Sequence, residues 1–480
     1  MRNCGVKQVL EIRRLAVLFA FLVASPRLAL AADSGSLRYR ESLAALAAEC
    51  AAAGETELAD SIRAWAAPED PQRFYPVLPE SLVPLTNDSQ SEDSRKSKFD
   101  QLRRARADEL YQQARQAAAG RGGEAYQILW NVLREDPDQP DARRALGYTL
   151  HEGAWLTRFE LEKRRSGQVW HERFGWIPQD HVARYEAGER FYLGRWIPAE
   201  REAELRADLS RGWQVLTEHY SIRTNHSLEA GVRLATRLER LHAVWRQLFV
   251  TYYASPRQIA EAFVRKPLAP PARRLQVIYY RDRAEYLREL RSEAAQIEIT
   301  TGFYQGEKEI AYFFAADEED IPTQYHEATH QLFGESRPIA RGVGADGNFW
   351  IVEGIACYME SLQQRDDGRW TVGGLDAQRV LAARQRFVDD RLYVPLAELT
   401  ALGMRDLQQH PQIRSIYSEA TGLTQFLLHG LDGRYRDATI QYLLAVYTGR
   451  DRPTTLQELT GSNYTELDAQ YSAYMTKSAE

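Results

Sequence analysis

The chain has 480 residues, 44% of them hydrophobic and 27% charged, with a formal net charge of −6. That balance excludes a disordered chain, and the length calls for two or three domains rather than one core. An acidic chain also makes nucleic acid a poor partner, because phosphate binding needs a basic surface.

Residues 1–31 read as a secretory signal peptide. Arg2, Lys7, Arg13 and Arg14 form a basic start, residues 15–24 an apolar run, and Ala29-Leu30-Ala31 a small-x-small cleavage site. The run is too short to span a bilayer, and no later stretch approaches 18 apolar residues, so an exported, soluble mature chain is expected, periplasmic or extracellular. Processing removes five basic residues and one acidic residue, which moves the net charge from −6 to −10. Cys50 and Cys357 then remain, too few for a disulfide framework, and two separate buried thiols are expected.

Within residues 32–67, Leu43, Leu46 and Ala47, then Leu58, Ile62 and Trp65, fall at helical spacing on either side of Gly54. They predict a helical hairpin. Residues 68–97 read as a linker, with five prolines followed by a polar run from Asn87 to Ser94. A pro-segment spanning 32–97 is an open alternative. Residues 98–150 alternate helix, turn and helix around Gly120-Arg121-Gly122-Gly123 and resemble a tetratricopeptide pair. This helical region is the expected docking place for a protein partner.

A short repeat follows over residues 151–213. Trp155, Trp176 and Trp196 recur with a glycine just before each, at Gly153, Gly175 and Gly194. These tryptophans either line a peptide- or glycan-binding surface or plug each unit against its neighbour; stacking repeats favour the second.

From residue 214 the pattern becomes mixed α/β. It predicts a strand over 214–224, a long helix over 228–249, a buried strand over 275–280 and a helix over 284–295. A hairpin over 301–314 turns at Gln305-Gly306, and residues 310–314 are either a free edge for an extended peptide or an ordinary core strand. The overall expectation is an α+β fold, with a zincin-like domain over 214–480 behind a mostly helical, repeat-containing N-terminal region.

The chemistry concentrates at Tyr325-His326-Glu327-Ala328-Thr329-His330. Four residues is about one helical turn, so His326 and His330 share a face and can reach one cation. Glu327, beside the first histidine, is placed to work on water rather than to bind the metal. A third ligand is expected at Glu353, 23 residues after His330, within the apolar run Phe349-Trp350-Ile351-Val352-Glu353-Gly354-Ile355-Ala356. His₂Glu is a known zinc set that leaves one position open. Tyr417, on a later helix, is the expected stabiliser of an oxyanion. His429 is a lesser candidate, read as an exposed helix-end residue, and Cys357 a structural thiol.

These motifs resemble the gluzincin branch of zinc metallopeptidases, in which the second helix carries E-x-x-A or E-x-x-D, here Glu353-Gly354-Ile355-Ala356. Some members carry a later Y-x-x-G helix; Tyr417-Ser418-Glu419-Ala420 matches its tyrosine and has alanine for the glycine. The wider pattern looks like secreted bacterial peptidase-like domains with tetratricopeptide-like helices and G-x-W units upstream. The resemblance implies Zn²⁺ held by His326, His330 and Glu353, Glu327 as general base and Tyr417 as oxyanion donor. Ala356 leaves no carboxylate where some relatives orient a ligand histidine, and Glu360 or a backbone carbonyl is expected to do so instead. The expected activity is hydrolysis of peptide or protein substrates. The alternative is a non-catalytic peptide- or envelope-binding protein that keeps a peptidase-like fold.

Overall fold

The computed structural model describes residues 26–86, 94–264, 267–268, 273–293 and 297–476, with side chains from residue 35 onward. The basic start and apolar run of the expected signal peptide lie outside the described residues, while Ala29-Leu30-Ala31 falls in a helix. The chain divides into two compact units, Met1–Ala66 and Ala67–Glu480. Among the described residues no helix is long and apolar enough to cross a membrane.

In the first unit, helices Pro26–Ala52 and Thr56–Ala66 pair across a turn. Gly54 makes that turn at φ +83°, a left-handed conformation that costs glycine little. Leu43, Leu46, Ala47 and Cys50 are buried on the first helix, and Ala59 and Ile62 on the second.

The second unit opens with a segment that does not behave as a linker. Arg73–Phe74 pairs antiparallel with strand Trp370–Gly373. Gln247 clasps Val77, accepting from its N–H at 3.1 Å and donating to its carbonyl at 2.8 Å. Leu78 is fully buried in the main core. Proline content hid this, because Phe74 and the pair Val77-Leu78 lie between closely spaced prolines without helical or strand period. Residues 87–93, the polar end of the expected linker, lie outside the described residues.

Helices Arg95–Ala117 and Gly122–Glu135 follow, packing Ala107, Tyr111 and Ala114 around Tyr126, Leu129 and Leu133. Three β-hairpins come next, each closed by a short helix. Their cross-strand partners repeat: Leu150 faces Trp155, Trp170 faces Trp176, and Phe191 faces Trp196. Trp176 also meets Phe159 of helix Arg158–Arg165, with ring centroids 5.9 Å apart. Trp196 likewise meets Tyr185 of helix Val182–Glu186 at 6.1 Å. These two tryptophans join successive units, as the stacking reading expects.

A five-stranded sheet runs in the order Phe303–Gln305, Ile310–Phe314, Leu275–Tyr280, Tyr220–Thr224, Trp213–Leu216. Leu275–Tyr280 is parallel to both neighbours, and the two outer pairs are antiparallel. The single strand expected over 214–224 is therefore two, because Thr217 and Tyr220 bond to each other and reverse the chain. Ile310–Phe314 is not an edge either: the short strand Phe303–Gln305 covers it. Period-2 alternation splits the sheet cleanly. Val277 and Tyr279 join the core shared with helices Leu228–Leu248 and Ile321–Glu335, while Tyr280 and Tyr312 pack with Tyr286 and Leu290 on the other face.

Behind helix Ile321–Glu335 stand two more, Phe349–Met359 and Ile413–Gly433. Gly354 lets them touch. A Cβ there would lie 2.5 Å from Thr424 Oγ1 and 2.7 Å from the Ala420 carbonyl. Asn348, at φ +58°, starts Phe349–Met359; its N–H donates to Thr400 O at 2.8 Å and its amide to Asp451 at 2.7 Å. Those bonds hold a conformation that few residues besides glycine and asparagine adopt readily.

The third helix carries a buried acid outside the site. Glu419 is 1% exposed, and its Oε1 has no hydrogen-bond partner among the described residues. Burial pushes its pKa up to about 8, with Tyr471 opposing and Asp468 adding to the shift. The folded chain then holds a proton that the unfolded chain releases near the ordinary 4.5. Stability from this group is present below pH 4.5 and is lost as pH rises through about 8. Glu419→Gln is expected to melt like the parent near pH 5 and to be more stable at pH 8, by a few kcal/mol on the order of the pKa displacement. Thermal melts of both proteins at the two pH values check this.

Candidate metal centre

Helix Ile321–Glu335 begins with Asp320, whose carboxylate accepts from the Thr323 N–H at 3.1 Å, and with Pro322 in its first turn. Tyr325, Ala328 and Leu332 bury one face in the core. His326 and His330, one turn apart, are thereby aimed at helix Phe349–Met359. The second helix is buried along its whole length, and Glu353 is 6% exposed.

Three donor atoms converge between these helices. His326 Nε2 is 3.1 Å from His330 Nε2 and 3.3 Å from Glu353 Oε2, and His330 Nε2 is 3.7 Å from the same oxygen. Nitrogen and oxygen ligands at about 2.0–2.2 Å from a tetrahedral zinc stand about 3.3–3.6 Å from one another. The observed separations bracket that value, so the donor set fits zinc in size as well as in type. The charges fit too. Burial alone would raise the pKa of Glu353, but His330 and His326 beside it hold the carboxyl far below its usual range. Burial alone would lower that of His326, and Cys357, Glu353 and Glu360 overcome it and hold a proton on the ring. A cation at the centre would displace that proton.

The ring is oriented from behind. His326 Nδ1 donates to Glu360 Oε1 at 2.8 Å, and Arg379 Nε donates to Glu360 Oε2 at 2.5 Å. Of the two expected orienters, the carboxylate of Glu360 is the one found. Cys357 Sγ lies 3.8 Å from the same nitrogen, and both Cys357 and Cys50 are buried. If His326 held a metal, this outer carboxylate would orient its ring and tune affinity. Glu360→Ala is therefore expected to lower zinc affinity about 10- to 100-fold, measured by chelator competition.

Glu327 is not one of the three converging donors. Its Oε2 accepts from the N–H of Tyr304, on the edge strand, at 2.8 Å. Gly302 makes room for it, since a Cβ there would lie 3.2 Å from Glu327 Cγ and 2.8 Å from Thr323 Cγ2. Tyr417 reaches the centre from the third helix. Burial first, then the nearby Glu353 carboxylate, raises its pKa far above the ordinary value, so the phenol keeps its proton.

His429 does not join the centre, and it is not exposed. It is 1% exposed on the third helix, with Tyr358 OH 2.8 Å from its Nε2 and the Pro71 carbonyl 3.2 Å from its Nδ1. The carbonyl can only accept, so Nδ1 carries the proton and Nε2 accepts from Tyr358. Burial pushes its pKa down to about 3. Its role is to tie helices together.

Two features gave no sequence signal. Arg379 is one arginine among several on helix Gln378–Val388. His219, Glu239 and His242 form a second cluster that sequence spacing does not reveal. There His219 Nδ1 is 2.7 Å from Glu239, and the two imidazoles stack with centroids 3.7 Å apart. Stacked rings hold their in-plane lone pairs in nearly parallel planes rather than aiming them at one point, the geometry of a hydrogen-bonded His219–Glu239 pair with His242 packed against it.

Comparison of the chain with protein-family models and with curated proteins finds no match.

Proposed function

We propose that this protein is a zinc-dependent peptide hydrolase of the gluzincin type, acting after export. The observation that carries the reading is the convergence of His326, His330 and Glu353 at 3.1–3.7 Å, with Glu327 held alongside by Tyr304. Zinc bound there would supply a Lewis acid that polarises a peptide carbonyl and acidifies water. Glu327 takes a proton from the attacking water and passes it to the leaving amine; its Oε2 is anchored by Tyr304, which leaves Oε1 for that exchange. Tyr417, kept protonated, donates to the oxygen that gains charge as the carbonyl is attacked.

The edge available to a substrate is Phe303–Gln305 rather than Ile310–Phe314. The Tyr304 N–H on that edge is engaged by Glu327, so the strand that would hold the peptide also positions the base. An extended peptide laid along it would meet Glu327 directly.

Zinc content and cleavage test the proposal together. One zinc per chain by mass spectrometry is expected, with cleavage of a fluorogenic peptide library abolished by chelator and restored by zinc. Under half an equivalent after reconstitution would overturn it. Tight peptide binding without cleavage by the zinc-loaded protein would instead favour the binding-protein reading.

A further inference from the structure

A polar cleft of about 280 Å³ lies apart from the metal centre. It is walled by the segment after Ala67, helix Gly122–Glu135, Gln247 of helix Leu228–Leu248, the kinked end of the third site helix and the start of helix Arg436–Tyr447. Glu69, Gln127, Asn131, Asp432 and Arg436 all line it. The first four side chains make no hydrogen bond or ion pair with any described residue, and Arg436 uses only its Nε, donating to Leu428 O at 3.2 Å.

The neighbouring charges are already spent. Arg73, also in the wall, is engaged by Asp70 at 3.1 Å and by Asp376. Arg134 and Arg369, the cations nearest Glu69, pair with Glu135 at 3.6 Å and Asp367 at 2.7 Å. The cleft therefore presents two carboxylates, one guanidinium and two amides with unused capacity. Asp432 is fixed at φ +57° in a kink with Leu431 at φ +52°, a backbone that turns the chain sharply beside the cleft.

We propose that this cleft binds a free basic amino acid, lysine or arginine. Such a molecule carries two positive charges and one negative, the complement of the unspent set. Arg436 takes the α-carboxylate, Glu69 and Asp432 take the α-ammonium and the side-chain cation, and the amides of Gln127 and Asn131 take the remaining donors and acceptors. The volume suits a single amino acid. The site stands independently of the peptidase reading, since none of these residues belongs to the metal centre.

Isothermal titration of the full chain with L-lysine and L-arginine tests it, with L-glutamate as the opposite-charge control. Saturable binding of either basic amino acid, and none of glutamate, is expected. The double variant Glu69→Gln, Asp432→Asn is expected to lose affinity about tenfold or more, with an unchanged thermal melt because both side chains are exposed. Arg436→Gln is expected to weaken lysine and leave lysinamide, which lacks the carboxylate, unaffected. Absence of saturable binding at millimolar lysine and arginine overturns the proposal, as does undiminished binding by the double variant or equal binding of glutamate. Glu327→Gln is expected to bind lysine as the parent does, so failure of either functional reading is visible without the other.

Discussion

Glu327→Gln is expected to keep the parent's zinc and to lose about 10²–10⁴-fold in peptide cleavage, the range typical for removing a general base. The substitution keeps the side chain's length and shape. The Tyr304 N–H that now donates to Glu327 Oε2 at 2.8 Å can donate equally to an amide oxygen. The close packing at Gly302 is not disturbed, because no heavy atom is added. Nor is the donor set, since His326, His330 and Glu353 meet each other without Glu327. What disappears is proton affinity, as an amide cannot take a proton from water at neutral pH. Zinc by mass spectrometry and initial rates on a fluorogenic peptide measure the two halves separately. Equal zinc with an undiminished rate would remove Glu327 from the mechanism, while loss of zinc would show that it serves the metal site instead.

The site was more legible in the sequence than the fold around it. Helical period alone places His326 and His330 on one face, and an acid isolated in an apolar run, Glu353, has to be buried with a partner. The donors that orient them left no comparable trace. Glu360 is expected from the second helix, but Arg379 comes from a helix whose sequence is ordinary, and only the packing shows that it holds Glu360. Edge and centre of a sheet are also invisible to alternation. The hairpin turn at Gln305-Gly306 pairs Ile310–Phe314 with Phe303–Gln305 on one side, and what no local pattern specifies is that Leu275–Tyr280 takes its other side. His429 reads as a helix-end residue because its partners, Pro71 and Tyr358, come from distant parts of the chain. Long-range contact of this kind has no period to detect.

That contact sets up the second large effect, on folding. A chain beginning at Ala67 is expected to fold as the longer chain does, and one beginning after residue 86 is expected not to fold. The first truncation falls between the two compact units. The second strips the strand Arg73–Phe74 from Trp370–Gly373 and empties the place of Leu78 in the main core. Burial of one leucine is worth about 1.5–3 kcal/mol. The loss also orphans groups far along the chain. Gln247 loses both bonds to Val77, Gln425 loses the Gln72 carbonyl at 2.7 Å, and His429 loses Pro71 at 3.2 Å. Each is buried, and each buried polar group left unpaired costs about 1–3 kcal/mol. Together these terms reach about 5–12 kcal/mol, comparable to the whole stability of a typical domain. Circular dichroism and zinc content of the two truncations decide the matter. A folded, zinc-loaded chain lacking residues 67–86 would make the segment dispensable and reopen a releasable pro-segment over 32–97; an unfolded one means that any processing must stop before Pro71, leaving in place the carbonyl that holds His429 against Tyr358 and so against the helix of Glu353.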